Sequence, residues 1–196
     1  MTTTTAGGVM RDRPLDPALL AAGDPRAVEA LYQAHARTVL GWVIRLGGPD
    51  LVPEEVAQDV FEVALGRLRT FRADGRPEAW LWGITRRVVA NARRRARLRR
   101  FFGLTDARPP ASPEPGPDET YARRRRVQEM LAPLPTAQRE AVVLVDLEGR
   151  SAVEAAELLG VPVGTVYSRL HAARRALGAQ HAIDTAQDTL AAKVQR

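Results

Sequence analysis

Apolar residues along this chain fall at helical spacing in several separate stretches, each closed by turn residues. In the first, Val28, Leu31, Tyr32, His35, Val39, Leu40 and Val43 form one stripe, and Gly47, Gly48 and Pro49 end it. A second helix opens at Pro53, with Glu54 and Glu55 near its positive end, and buries Val56, Val60, Val63, Ala64, Leu68 and Phe71. After the loop Arg72–Arg76, Pro77 and Glu78 mark the first turn of a third helix, whose core positions continue through Trp80, Leu81, Ile84 and Val88. Trp80 sits on that stripe and reads as core, whereas Trp82 reads as the more open of the two.

Residues Ala107–Asp118 interrupt this periodicity. Prolines at 109, 110, 113, 115 and 117 remove backbone donors and fix φ, so this stretch reads as an extended, semi-stiff linker. It leaves about 100 residues in front and about 75 behind, each enough for a small helical domain. The expected fold is all-α: two small helical bundles joined by a flexible Pro-rich linker. The boundaries are 1–20 for a disordered N-terminus, 21–100 for the front domain and 101–120 for the linker. The rear domain takes 121–180 and the tail 181–196.

The rear half starts with Glu119–Leu131. A helix over Thr136–Leu147 follows, with Thr136 as its natural N-cap and Val142–Val145 and Leu147 as a hub. The most informative segment runs from Glu148 to Arg175. Ser151 followed by Glu154 is a capping box, Ala155, Leu158 and Leu159 share a face, and Gly160 suits a left-handed helix end. Pro162 then presets the next helix, which buries Val163, Val166, Leu170 and Ala173. On or beside its open face are Thr165, Tyr167, Ser168, Arg169, His171, Arg174 and Arg175, which carry groups that bond phosphates and base edges. The arrangement is that of a helix-turn-helix, although a helical hairpin with a solvated basic face has the same pattern.

Charge sharpens this picture. The 196 residues carry a formal charge of +6, so an acidic partner is plausible, with nucleic acid first and an anionic membrane second. Arginine supplies nearly all the positive charge, since Lys193 is the single lysine; a GC-rich genome is the bland explanation. Arg86, Arg87, Arg93, Arg94, Arg95, Arg97, Arg99 and Arg100 follow one another with no acidic residue among them. A solvated helix normally mixes signs, so this run points to a phosphate-binding surface. Glu55, Gln58, Asp59 and Glu62 form an acidic stripe on the second helix, which taken alone reads as ordinary solvation. The absence of cysteine excludes disulfides and thiolate metal sites and fits a reducing, cytoplasmic setting. No secretory signal is expected at Met1–Gly8, and no membrane insertion. His35, His171 and His181 lack metal-ligand spacing, and no nucleophile–base pair or phosphate loop stands out, so no catalytic residue, metal or cofactor is expected. His35 reads as a core histidine.

These residues together are recognisable. The chain resembles an extracytoplasmic-function sigma factor over about Asp24–Gly178. In the front half the resemblance rests on Ala30–Tyr32 with His35, Pro53–Phe61 and Trp80–Arg86. In the rear half it rests on Leu134–Ala141 and Val163–Leu170. It departs from the family pattern at Leu65, Arg87, Asn91 and Tyr167, and in the small Ala152 and Ala155. The resemblance implies that 21–100 is sigma region 2 and 121–180 is sigma region 4. It implies docking of Glu55, Gln58, Asp59 and Glu62 on the β′ clamp helices of core RNA polymerase, with the β flap as a further contact. Trp82, Arg86, Arg87, Asn91, Arg93, Arg94 and Arg95 would then serve the minus-ten promoter element. Thr165, Tyr167, Ser168, Arg169, His171, Arg174 and Arg175 would serve the minus-thirty-five element. Many relatives also have an anti-sigma factor, though nothing in this sequence identifies one. The alternative is a stand-alone helix-turn-helix regulator, which has no need of the acidic stripe.

Overall fold

A computed structural model describes residues 16–71, 76–103 and 119–194, and in the last stretch the side chains of 122–179. Among the described residues the regular structure is helical. The proline-rich stretch and the N-terminal segment lie outside them.

The front half is built from α1 (Pro17–Ala22), α2 (Pro25–Gly47), α3 (Pro53–Leu65) and α4 (Pro77–Phe101). Each begins with a proline in its first turn, where the missing N–H costs no hydrogen bond. Asp16 and Asp24 cap the first two, the Asp24 carboxylate accepting from the Arg26 and Ala27 amides at 3.0 Å. α3 ends at Leu65, sooner than the apolar spacing suggests. A short 3₁₀ turn, Leu68–Thr70, then places Leu68 and Phe71 in the core.

Helices α2, α3 and α4 pack on one another around Leu31, Val39, Val43, Val60 and Leu81. At the centre Trp42 meets Trp82 edge to face, with centroids 5.0 Å apart and both side chains fully buried. This corrects the expectation of an open Trp82. The buried stripe of α4 is Leu81, Trp82, Ile84, Thr85, Val89, Ala92 and Ala96, and it leaves Trp80 half-buried against Phe71. Tyr32, expected inside, is exposed and leans on Phe61 at 4.8 Å.

The rear half comprises α5 (Glu119–Leu131), α6 (Thr136–Val142), α7 (Ala152–Leu159) and α8 (Val163–Val194). Thr136 proves to be the first helical residue of α6, not its cap; Pro135 occupies the cap position and makes no side-chain bond. α6 runs on into a π-helical turn, Val143–Leu147, closed by the Glu148 amide on the Val143 carbonyl at 3.0 Å. That turn leaves Leu147 exposed, while Val142, Val143 and Leu144 form the hub with Leu131, Leu134, Val166 and Leu170.

The two halves also touch. α5 and α6 pack on α2, and α7 packs on α4.

Candidate functional site

The helix-turn-helix is built as its residues demand. Ser151 Oγ accepts from the Glu154 amide at 3.2 Å, and the Glu154 carboxylate accepts from the Ser151 amide at 2.9 Å. The reciprocal pair holds the Glu154 carboxyl below its usual range, through the Ser151 hydroxyl first and its backbone second. Gly160 takes φ +66°, and the Val161 amide reaches back to the Ala156 carbonyl at 3.1 Å to end α7. Val166, Leu170 and Ala173 then bury one side of α8. Its other side exposes Tyr167, Ser168, His171, Arg174 and Arg175, with Thr165 and Arg169 half-buried beside them. Two of these groups are engaged locally. Ser168 Oγ donates to the Gly164 carbonyl at 2.9 Å, and Arg174 grips Asp146 through two nitrogens at 2.6 and 3.2 Å. The hydrogen bonds and charge of Asp146 raise the Arg174 pKa above its ordinary value.

The basic run of α4 is divided between two environments. Arg87, Asn91, Arg94 and Arg95 are exposed, the last lying 4.0 Å from Asp59 of α3. Arg86 and Arg93 turn towards the rear half. Arg86 Nε donates to Glu140 at 2.6 Å, and Arg93 reaches the Leu46 carbonyl at 3.5 Å. Trp82, buried beneath them, offers no face to a base in this arrangement. On α3, Glu55, Gln58 and Glu62 are exposed and Asp59 is half-buried, with Gln58 donating to Glu62 at 3.1 Å. The neighbouring Glu54 pairs with Arg124 of α5 at 3.4 Å.

Sequence reasoning missed the residues that close the halves on each other. Arg139, 1% exposed, donates to the carbonyls of Leu46 at 2.9 Å, Ala132 at 2.7 Å and Leu134 at 3.0 Å. Leu46 stands in the last turn of α2, where carbonyls lack helical partners and a cation is favourably placed. Burial, reinforced by the nearby charge of Arg93, lowers the Arg139 pKa to about 10, which still leaves it charged at neutral pH. Arg45 pairs with Glu148 and Arg150 with Glu78 across the same seam. His35, half-buried near Glu78, has its pKa lowered by desolvation, which outweighs the opposing pull of that carboxylate. The one hint of the clasp was an arginine four residues beyond Pro135, just ahead of the apolar run Ala141–Val145.

No helix among the described residues is long and apolar enough to cross a membrane. Two family models match the chain in tandem: Sigma-70 region 2 over residues 31–99, and Sigma-70, region 4 over residues 124–177. The ECF RNA polymerase sigma factor SigL of Mycobacterium tuberculosis is 34% identical over 161 residues, covering 80% of this chain and 90% of its own. The RNA polymerase sigma factor CnrH of Cupriavidus metallidurans is 34% identical over 169 residues, covering 81% and 88%. A solved structure of CnrH in complex with the cytosolic domain of CnrY superposes with a TM-score of 0.65 at 28% identity, over 86% of this chain and 96% of that one. Both halves match in order, and the likeness to named relatives spans most of their length: the chain belongs to the ECF family of RNA polymerase sigma factors.

Proposed function

We propose that this sigma factor joins core RNA polymerase through α3 and reads its promoter with α4 and α8. Glu55, Gln58, Asp59 and Glu62 form the polymerase-docking face, flanked by the exposed Tyr32 and Leu65. Arg86, Arg87, Asn91, Arg93, Arg94 and Arg95 serve the minus-ten element. Thr165, Tyr167, Ser168, Arg169, His171, Arg174 and Arg175 serve the minus-thirty-five element. Trp82 has no part in this assignment, because it is core. The observation that carries the reading is the exposed polar face of α8 on the same chain as an acidic α3 and a basic α4.

The work proposed is recognition, without a catalytic group, and it takes place in the cytoplasm, where polymerase is. Promoter engagement by Arg86 and Arg93 requires that they exchange Glu140 and the Leu46 carbonyl for phosphate oxygens. By analogy with CnrH, solved in complex with the cytosolic domain of CnrY, a protein partner such as an anti-sigma factor belongs to the same proposal.

Run-off transcription with purified core enzyme tests the reading: start sites should appear only when this chain is added. Initiation no better than that of core alone, on every template, would overturn it. Tight, specific promoter binding by the chain in the absence of polymerase would instead favour a stand-alone regulator.

A further inference from the structure

Between α4 and α6 lies a cavity of about 140 Å³, lined in part by Arg86, Arg93, Arg97, Thr136, Arg139 and Glu140. Four guanidinium groups face one carboxylate there, and that carboxylate is held by Arg86 at 2.6 Å. The other three arginines have no carboxylate bond among the described residues. Arg139 spends its two terminal nitrogens on carbonyls, and its Nε, fully buried, has no acceptor. Arg93 has one carbonyl at 3.5 Å. Arg97 is exposed at the rim.

A buried donor without a protein acceptor, among four guanidinium groups and one carboxylate, is a donor set suited to an anion. The volume holds several waters at roughly 30 Å³ each and is well short of the roughly 300 Å³ of a typical ligand pocket, so it suits one phosphoryl group. We propose that this cavity binds a single phosphoryl group, as free phosphate or as the phosphate end of a small metabolite, and that the bound anion ties α4 to α6. Burial first and the neighbouring Arg97 second depress the Arg93 pKa against the opposing pull of Asp50, and an anion would relieve the repulsion from Arg97. Arg86 and Arg93 also belong to the proposed promoter face, so occupancy should compete with promoter binding. That consequence, unlike the binding itself, rests on the proposed function.

Inorganic phosphate is the probe, titrated by calorimetry into the full chain against chloride at matched ionic strength. The sequence contains no cysteine, so dyes on Arg69→Cys and Glu157→Cys, exposed in opposite halves, report the distance between them. Phosphate should bind, raise the thermal midpoint above that in chloride and favour the short distance. Arg97→Gln, at an exposed position that spares the fold, should weaken phosphate about tenfold by removing a charge-assisted bond. Equal behaviour in phosphate and chloride, or undiminished affinity in Arg97→Gln, would sink the proposal. A response to short duplex DNA with none to phosphate would also sink it, by assigning the arginines to the DNA backbone alone. Run-off transcription in phosphate-free buffer reads the sigma function separately, so the two failures are distinguishable.

Discussion

At the scale of the residue, Arg139 holds more together than any other side chain in the seam. Its three carbonyl acceptors come from α2, from the turn after α5 and from the approach to α6. Arg139→Ala leaves those groups without their donor, and we expect a loss of about 3 kcal/mol in urea unfolding. His35 gives a pH signature. Burial lowers its folded pKa, so the unfolded chain binds the proton more readily, and the stability it contributes is present above the ordinary value of 6.5 and lost below it. The thermal midpoint should therefore fall between about pH 7.5 and about pH 5.5, and fall less in His35→Gln. Its half-buried place on α2 agrees with the sequence pattern only in part. Single tryptophans were harder to read. Trp80 and Trp82 lie two positions apart, on different sides of one helix, and both neighbours of each include apolar candidates. Only the packing partner, Trp42, decides which one turns inward.

At the scale of the element, the chain announces its own starts. Pro17, Pro25, Pro53 and Pro77 each sit in a first turn, and the Ser151–Glu154 pair forms the reciprocal cap its spacing predicts. Ser151→Ala should cost about 1 kcal/mol, seen as a lower denaturation midpoint with an unchanged slope. The π turn after α6 was illegible, because one extra residue per turn leaves no mark in a short apolar run. The basic half of α4 is legible in kind, though not in its partition between solvent and seam. Neutralising Arg93, Arg94 and Arg95 together should flatten the salt dependence of promoter binding by the holoenzyme, by roughly 0.9 in log–log slope for each phosphate left without its arginine. An unchanged slope would remove these arginines from the DNA face.

At the scale of the whole molecule, sequence reasoning read the chain as helical and in the order in which the two family models match it, yet it missed how the halves touch. The bonds that join them link residues far apart in the chain: Arg86 to Glu140, Arg139 to Leu46, Arg150 to Glu78 and Arg45 to Glu148. No local periodicity encodes a pairing of that range. Each of these charges had a sufficient local explanation, as a solvated group or, for Arg86, as part of a phosphate-binding run, which is why the seam stayed hidden. The Arg45–Glu148 and Arg150–Glu78 pairs are partly exposed and individually weak, whereas Arg139 is buried.

The edge-to-face tryptophans carry one more consequence. Trp42, Trp80 and Trp82 are all the tryptophans in the chain, and all belong to the front bundle, with two of them sealed from water. Tryptophan emission is thus a private signal of that bundle, while circular dichroism at 222 nm, the far-ultraviolet band of helices, sums both. If the seam makes the halves melt as one body, the two optical traces will share a midpoint; Arg139→Ala should pull them apart.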